Sequence, residues 1–425
     1  MLKTLDLRGK GTHVRELLPT PQDPGADVAA AVSEIIEDVR SRGDLAVAEL
    51  TERFDGVLLE NPRVATSELA AAASRVPPAL LHALEAAWTA ILAYHADEAP
   101  TPGPFRNGGV TVHHRDTPVE RAGCYAPGGR ARYPSSVLMC AAPATVAGVE
   151  QIVLCVPPAA DGRIDDATLA AAHVAGISEV YAIGGAQAIA AMALGTESIE
   201  RVDVIVGPGN SFVAEAKRQL SGIVGVASAF AGPSEIVVIA DATTPADLAA
   251  IDLMVQAEHG PDGMAWLITW VPEVVDAVER SLVEQIAVAP RRADLESTMA
   301  SAGVACLVDS AEAAMAVSNI VAPEHLELLV RDYGPLVDMV TAAGAVFCGL
   351  DAPASLGDYA AGPNHILPTN RSARFSSALR ADDFRRHIHV VEVDRQGFES
   401  LADTVITLAE AEGLDAHAES VRRRR

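Results

Sequence analysis

Short apolar runs that alternate with helical stretches constrain the fold of this chain more than any other feature of its sequence. Beyond Glu120 there are seven such runs of β-type residues: Gln151 to Val156, Glu179 to Ile183, Val202 to Val206, Glu235 to Ala240, Met264 to Thr269, Ala305 to Val308 and Gly344 to Phe347. Runs that are apolar throughout and separated by helices are typical of βαβ units, whose parallel sheet is buried on both faces. The sequence therefore predicts an α/β protein.

The segments on either side of this region have a different pattern. Apolar residues at helical spacing over residues 27–50 are interrupted by Gly43, which predicts two helices, and residues 67–96 are also helical in character. From about residue 381 the alternation ends in a strand-like run, residues 388–393, and a final helix. This tail is too small to fold alone, so we expect it to dock on another surface. The 425 residues exceed one ordinary core and predict at least two domains.

Charge and cysteine content argue against several classes of function. A formal net charge of −25 argues against a nucleic-acid partner, because phosphate binding needs clustered positive charge. The N-terminus has no apolar stretch of signal-peptide length, and no uncharged apolar run is long enough to span a bilayer, so we expect a cytoplasmic protein without a membrane partner. The five cysteines show no C-x-x-C spacing, which argues against a disulfide framework and a thiolate zinc site.

Three glycine-rich turns lie within the alternating region. They are residues 125–129 (YAPGG), 183–187 (IGGAQ) and 207–210 (GPGN). The last two lie between a predicted strand and a predicted helix, where the backbone can approach a phosphate at a helix N-terminus. None matches a G-x-G-x-x-G fingerprint, and tight helix–strand packing explains a lone Gly-Gly equally well. Two such turns in successive βα units make a nucleotide-binding site as good an explanation as tight packing.

A carboxylate and an imidazole stand side by side in the stretch APEHLEL, residues 322–328. Because proline favours the first turn of a helix, Pro323 predicts that Glu324 and His325 lie at a helix start. One site could then use the imidazole as a general base and the carboxylate as a second base or water activator. The alternative is a well-capped helix start without catalytic meaning.

Three further polar clusters suggest a site. Gln256 and His259 are three residues apart and share one helix face, which suits a divalent metal such as zinc but also an ordinary polar helix end. Residues 356–369 (LGDYAAGPNHILPT) form a loop rich in Gly and Pro, with Asp358 as a candidate metal ligand and His365 as a ligand, acid or substrate contact.

The third cluster lies near the end of the chain. Gly413 breaks the last helix and lets Glu412 and His417 point inward. An exposed helix end near a chain terminus explains the same pattern.

Together these clusters resemble the histidinol dehydrogenase family. The motifs that carry the resemblance follow one another over nearly the whole chain: RGDLAVAELTERFDGV, PVERAGCYAPGG, YPSSVLM, IGGAQAIAAMALGT, GPGNSFVAEAKRQL, AGPSEIVVIAD, QAEHG, NIVAPEHLEL, LGDYAAGPNHILPT and AEAEGLDAHAESVRRR. The resemblance implies oxidation of L-histidinol to L-histidine in two NAD-dependent steps through a bound aldehyde, within histidine biosynthesis. It also implies one zinc ion per site and an intertwined homodimer.

Carried over residue by residue, the resemblance assigns roles to the polar clusters. The zinc ligands would be Gln256, His259, Asp358 and, arriving from the second subunit, His417. Substrate contacts would be these four together with Ser234, His325, His365 and, again across the interface, Glu412. NAD would contact Tyr125, Gln187 and Asn210. His325 would take the hydroxyl proton, and Glu324 would activate the water that attacks the aldehyde.

The resemblance also implies an architecture. Two Rossmann-like, aldehyde-dehydrogenase-like βαβ domains would carry small N- and C-terminal extensions. The predicted boundaries are residues 1–22 for the N-terminal extension, 23–122 plus 235–380 for a discontinuous catalytic and metal-binding domain, 123–234 for an incomplete Rossmann-like NAD-binding domain, and 381–425 for a C-terminal dimerisation tail.

Departures from the family pattern and rival functions leave alternatives open. Residues 226–230 (VASAF) and 261–264 (PDGM) differ from the usual family sequence, so a relative acting on another amino alcohol or aldehyde is one alternative. A cysteine-nucleophile aldehyde dehydrogenase is a second, although no cysteine stands beside a histidine. A non-catalytic protein that binds a metal and a nucleotide is a third.

Overall fold

The computed structural model describes residues 2–19, 26–98, 102–128, 132–227, 234–258 and 263–425. The strands are β1 Lys3–Asp6, β2 Arg63–Val64, β3 Phe105–Asn107, β4 Val110–Pro118, β5 Arg121–Tyr125, β6 Gln151–Val156, β7 Glu179–Ala182, β8 Val204–Val206, β9 Gly225–Val226, β10 Glu235–Ala240, β11 Met264–Thr269, β12 Gly303–Leu307, β13 His325–Leu329, β14 Ala345–Cys348 and β15 Arg385–Val393. All seven predicted apolar runs are strands, with ends shifted by at most two residues.

The helices between and around these strands are short to medium in length. They are α1 Val14–Leu17, α2 Ala26–Arg42, α3 Asp44–Asp55, α4 Thr66–Arg75, α5 Pro78–Ala96, α6 Pro134–Ala147, α7 Asp166–Val174, α8 Gly185–Leu194, α9 Ser211–Leu220, α10 Ala246–Ala257, α11 Pro272–Val288, α12 Arg292–Ala302, α13 Ala311–Val321, α14 Gly334–Val337, α15 Ala354–Tyr359, α16 Arg395–Ala411 and α17 Asp415–Arg422. Gly43 separates α2 from α3 with a positive φ of 54°, as predicted.

The strands form two large sheets and one small one. The first large sheet has the parallel order β1-β12-β11-β10-β13-β14, and the second has the order β2-β7-β6-β5-β8-β9, in which only β2 is antiparallel. In each sheet, five successive strands of the chain follow the doubly wound order third, second, first, fourth, fifth. The prediction of an α/β fold with two Rossmann-like βαβ units is therefore confirmed.

Each large sheet is buried on both faces. The apolar residues of the first sheet alternate between one core that includes Ile236 and Leu267 and another that includes Val237 and Leu326. The second sheet is flanked in the same way by two further cores. This burial explains why the strands read as continuous apolar runs in the sequence.

Helices α2 to α5 pack on the second sheet. Val32 and Val39 of α2 share a core with Val153 of β6, and Leu69 of α4 shares a core with Leu154. The predicted domain boundaries placed these helices in one domain with the first sheet. Their packing instead favours a domain that they share with the second sheet. The N-terminal strand β1 joins the first sheet by pairing with β12. The division of the chain into domains otherwise stays a prediction.

The prediction that Glu324 and His325 begin a helix is wrong. Helix α13 ends at Val321, and the next residue, Ala322, has a φ of 50° and donates its N–H to the Ser318 carbonyl at 2.7 Å. Pro323 follows a helix end, where proline is also common because it cannot continue the helix. His325 opens β13, which pairs with β10 and β14 on its two sides and is buried throughout.

The C-terminal tail lies on the surface of the chain. β15 pairs antiparallel with β4 over nine residues, and eight of its nine residues are exposed. α16 and α17 follow, separated at Gly413 as predicted. Taken singly, no helix in the described part of the chain is both long and apolar enough to cross a membrane, and only the pair α4 and α5, bent by 117°, passes that test together.

Candidate active site

The site lies where the amino ends of β10 and β13 meet. Ser234 directly precedes β10, and Glu324 directly precedes β13, its neighbour in the sheet. The Ser234 hydroxyl donates a hydrogen bond to Oε2 of Glu324, and the Glu235 N–H donates to the same oxygen at 3.2 Å. These two donors fix the orientation of a carboxylate that is 7% exposed.

His325 lies buried between two carboxylates. Its Nδ1 is 3.7 Å from Oε2 of Glu324, and its Nε2 is 3.4 Å from Oδ1 of Asp358. Neither ring nitrogen has a hydrogen-bond partner among the described residues. Burial opposes a positive charge on the ring, but Glu324, Asp358 and Glu327 outweigh it and raise the pKa of His325 to about 9. At neutral pH the ring is therefore mostly protonated, and only its neutral form can accept a proton.

His365 is oriented by both of the large sheet units. Its Nδ1 lies 2.8 Å from the carbonyl oxygen of Asp358, which can only accept, so Nδ1 carries the proton. Nε2 lies 3.3 Å from the Ser136 hydroxyl, in the first turn of α6. Burial lowers the pKa of His365, which favours the neutral ring. His365 thus presents a fixed tautomer where the two units meet.

Two of the four predicted metal ligands lie on helices that share one core. Gln256 is 2% exposed at the end of α10, and its amide nitrogen has no hydrogen-bond partner there. Asp358 lies on α15 beside His325. Ala257 of α10 and Ala354 of α15 belong to the same core, so both helices cover one face of the first sheet.

The remaining metal ligands are not brought to this point. His259 lies outside the described residues. Glu412 and His417 are exposed on the tail and make no hydrogen bond or ion pair with Glu324, His325 or Gln256 within the described chain. Accordingly, the described residues contain no group of three or more His, Cys, Asp or Glu side chains that could hold a metal ion.

The local field at this edge favours a cation. Because helices run back between parallel strands, α10 and α13 end at the amino edge of the first sheet, and α15 runs the same way, from Ala354 towards Asp358. Helix C-termini carry a partial negative charge. Amide and carboxylate oxygens with imidazole nitrogens also form a donor set that zinc accepts. Among the described residues, Gln256 and Asp358 supply oxygen atoms for such a set, and its imidazole nitrogens would have to come from His259 and His417.

The three predicted NAD contacts lie at the carboxyl edge of the second sheet. Tyr125 ends β5, is 3% exposed, and its hydroxyl accepts a hydrogen bond of 3.1 Å from the Gly185 N–H at the start of α8. Gln187 is 1% exposed, and both polar atoms of its side chain lack partners among the described residues. Asn210 is exposed and caps α9 by accepting from two backbone N–H groups, each at 3.1 Å.

Sequence reasoning missed several buried polar residues around the site. Ser136 is part of the quoted motif YPSSVLM but received no role, and its hydroxyl reaches His365. Glu327 is fully buried in a strand that is otherwise apolar apart from His325, and Asp252 is 7% exposed on α10. A charged residue within a buried apolar run is the sequence signal that could have identified Glu327.

The cysteines do not resemble nucleophiles. Cys124, Cys140, Cys155 and Cys306 are buried. Burial raises the pKa of the Cys155 thiol, and it raises that of Cys306 to about 12. A catalytic cysteine instead needs a lowered thiol pKa. These environments argue against the rival cysteine mechanism.

Known proteins similar to this chain match it over most of its length. The sequence model of the histidinol dehydrogenase family matches residues 19–425. The chain belongs to the histidinol dehydrogenase family. A histidinol dehydrogenase from Synechococcus sp. is 48% identical over 398 residues, 93% of this chain and 92% of the relative. One from Methanosarcina barkeri is 43% identical over 400 residues, 94% and 92% of the two chains.

A solved structure supports the histidinol dehydrogenase fold throughout. The crystal structure of histidinol dehydrogenase from Elizabethkingia anophelis is 35% identical to this chain and superposes with a TM-score of 0.95. The match covers 100% of this chain and 98% of the other. The tail, both large sheets and the small sheet are therefore part of the histidinol dehydrogenase architecture.

Proposed function

We propose that this chain oxidises L-histidinol to L-histidine in two NAD-linked steps through a bound histidinaldehyde, as an enzyme of histidine biosynthesis in the cytoplasm. One observation carries the proposal beyond family membership: His325 lies buried between Glu324 and Asp358 with both ring nitrogens free of hydrogen bonds among the described residues. Such a histidine, in its neutral form, can accept a substrate proton and leave its new charge beside two carboxylates.

His325 acts as the general base of the first oxidation. Hydride leaves a carbinol carbon only as the hydroxyl loses its proton, so a base must stand within hydrogen-bond reach of that hydroxyl. With a pKa of about 9, the neutral ring that acts as the base is the minor form at neutral pH, and its share grows as pH rises. The neighbouring carboxylates stabilise the imidazolium that forms. NAD supplies the hydride acceptor, and Tyr125, Gln187 and Asn210 would hold it.

Glu324 acts in the second oxidation. The aldehyde must be hydrated before it can lose a second hydride, which requires a base for the attacking water. The Ser234 hydroxyl and the Glu235 N–H hold one oxygen of Glu324 in place. Because Ser234 is also a proposed substrate contact, the hydrogen bond links recognition of the substrate to the orientation of the second base.

Zinc would be held by Gln256, His259, Asp358 and His417, the last arriving from a second copy of the chain. When bound, the ion supplies a fixed positive charge that orients the imidazole and amine of histidinol. His365, whose Nδ1 contacts the Asp358 carbonyl and whose pKa is lowered by burial, would contact the substrate as a neutral ring. Histidinol rather than a simple alcohol is thus the substrate that these side chains suit.

A homodimer would complete the site. Glu412 and His417 lie on an exposed tail that also carries apolar side chains facing solvent, among them Val391 at 59% and Leu408 at 58% exposure. Surfaces of this kind are typical of protein–protein contacts. Docking of the tail on a second copy would bury them and bring both polar residues to the other subunit's Gln256 and Asp358.

The decisive experiment is the stoichiometry of the reaction. Purified full-length protein supplied with zinc, excess NAD and a limiting amount of L-histidinol should form two NADH for each histidinol consumed, with histidine as the product. One NADH per histidinol, with aldehyde accumulating, would contradict the two-step proposal. No NADH at all would contradict the function itself.

A further inference from the structure

Glu327 is a buried carboxyl group that takes no part in the proposed reaction. It is 0% exposed and stands two residues after His325 on β13, so the two side chains point to the same face of the sheet. Leu326 and Leu328 point to the opposite face and belong to the core there. Glu327 therefore lies directly beneath the catalytic pair, on the side covered by α10 and α15.

One oxygen of Glu327 holds the start of α15. Oε1 accepts a hydrogen bond of 2.6 Å from the N–H of Ala354, the first residue of that helix. This N–H has no acceptor within the helix itself, so Glu327 caps the helix from the neighbouring strand. Asp358 follows Ala354 by four residues, about one turn. The bond thus fixes the helix that carries a proposed metal ligand.

The other oxygen of Glu327 is directed at α10. No N–H or O–H of the described residues donates to Oε2, yet the carboxyl of Asp252 on α10 lies within hydrogen-bond reach. Two carboxyl groups can share such a contact only through a proton. Burial raises the pKa of both carboxyl groups, and the charge of Asp252 raises that of Glu327 further, which favours one proton held between them. Asp252 stands one turn before Gln256, the other proposed metal ligand in this region.

We propose that Glu327, as a neutral carboxylic acid, is a positioning residue that joins α15 to α10 and so sets the distance between Asp358 and Gln256. Ala354 donates to one oxygen, and the other oxygen donates its proton to Asp252. Each contact lies one helical turn from a metal ligand. The inference rests on the proposed metal site, since without a metal the spacing of these two side chains would have no consequence for binding.

A pair of substitutions separates this role from a purely structural one. Glu327→Gln keeps an acceptor for Ala354 and gains an N–H₂ donor for Asp252, so it reproduces the neutral acid. Glu327→Leu is similar in size and apolar, and it removes both contacts. Leu328→Ala on the opposite face of the same strand is the matched control, because it lowers stability by leaving a cavity without touching α10 or α15.

The measurement is the zinc affinity of the metal-free, full-length protein, determined with zinc alone against a competing chromogenic chelator. Residues that orient metal ligands typically change metal affinity by about 10–100-fold when lost. Glu327→Leu should weaken zinc binding by about that factor, while Glu327→Gln and Leu328→Ala should stay within about threefold of the unmodified protein. Amide hydrogen exchange in the segment 350–360 should accelerate in Glu327→Leu only.

Three results would overturn the inference. They are unchanged zinc affinity in Glu327→Leu, a loss in Glu327→Gln as large as in Glu327→Leu, and an equal loss in Leu328→Ala. The second result would mean that an ionised carboxylate is required. If Glu327→Leu fails to fold, Asp252→Asn, which keeps an acceptor for the Glu327 proton, and Asp252→Leu, which does not, make the same comparison. Absence of zinc binding in the unmodified protein would instead count against the proposed function.

Discussion

At the scale of single residues, neighbouring ionisable side chains of the site differ in the charge that their surroundings favour. Carboxylates on both sides favour a proton on His325, while burial keeps His365 neutral. Glu324 receives two hydrogen bonds through one oxygen, which holds it in place as an acceptor. Three neighbouring ionisable side chains therefore serve different tasks because their contacts differ.

Replacement of Glu324 by Gln should separate the two oxidations. The amide cannot accept a proton from water, so aldehyde oxidation should slow by about 100-fold or more, whereas the first hydride transfer should change much less. Rapid-mixing measurements of NADH formation from histidinol and from histidinaldehyde test this. Equal slowing of the two steps would contradict the role assigned to Glu324.

Glu235 should make folding stability depend on pH. Burial, and then the charge of Glu324, raise the pKa of Glu235 to about 8. A carboxyl with a raised folded pKa favours the folded state fully at acid pH, and this contribution is lost as pH rises from the unfolded pKa through about 8. Glu235→Gln should therefore be more stable than the unmodified protein at pH 8.5, by about 1–3 kcal/mol, and similar to it at pH 4.5.

Denaturant unfolding of both proteins at the two pH values tests this expectation. The comparison must be made at each pH separately, because other groups also titrate over the range. A stability difference that is the same at pH 4.5 and pH 8.5 would show that Glu235 does not titrate with a raised pKa.

At the scale of elements, the direction of helices explains where the two ligands would bind. In the first sheet the site lies at the amino edge, where helices end and their dipoles favour a cation. In the second sheet the glycine turns lie at the carboxyl edge, where α6, α8 and α9 begin and N–H groups face outward. The contact between Ser136 and His365 shows that these two edges meet.

Helix α15 packs closely against strand β14 at Gly357. A Cβ added to Gly357 would lie 2.5 Å from the Phe347 ring on β14, so the ring or the helix must shift. Gly357→Ala should lower stability by about 1–3 kcal/mol and reduce turnover by displacing Asp358. Thermal unfolding and steady-state kinetics measure the two effects.

Gly334→Ala is the matched control for this substitution. Its added Cβ would meet no atom closer than 3.9 Å, at the side chain of Asp332. We expect near-normal stability and kinetics. Normal kinetics in Gly357→Ala would show that α15 can shift without consequence for the site.

Much of this architecture could be predicted from the sequence, and the exceptions have physical causes. Strands buried on both faces are visible as apolar runs, so β10 and β11 were found at their observed bounds. The motif Pro323-Glu324-His325 was misassigned because proline is compatible with both a helix start and the residues after a helix end. The local sequence does not show which of these applies, whereas pairing of β13 with β10 and β14 decides it.

The site itself was only partly predictable for a similar reason. Glu324, His325 and Asp358 were singled out in the sequence and lie together. Ser136, Asp252 and Glu327 were not, because their importance depends on contacts between segments far apart in the chain. The hydrogen bond between Glu327 and Ala354 joins residues 27 positions apart in the sequence, and the contact between Ser136 and His365 joins residues 229 positions apart. No local sequence pattern shows that residues so far apart in the chain will be in contact.

At the scale of the whole molecule, the exposed tail is the feature that a single copy of the chain leaves unexplained. α16 and α17 carry Glu412 and His417 away from the residues that they would join, and β15 is exposed along nearly its whole length. A symmetric dimer in which each tail completes the other copy's site would account for both observations.

Complementation between inactive variants tests this arrangement. Each mixed dimer of His417→Ala and His259→Ala chains would contain one site with both histidines intact and one site with neither. Random re-association of equal amounts should restore about a quarter of normal activity, although each variant alone is inactive. Verified mixed dimers without activity would show that the tail serves its own chain.

The hydrogen bond between Ser136 and His365 ties the chemistry to the alignment of the two large sheets. Ser136 belongs to α6, which packs on the sheet that carries the glycine turns, and the Asp358 carbonyl that orients the other ring nitrogen of His365 belongs to α15, which packs on the first sheet. A slight rotation between these two bodies would change the distance between the two partners of the His365 ring. Turnover in this enzyme should thus respond to solvent viscosity or to crosslinks placed between the sheets, far from any atom that reacts.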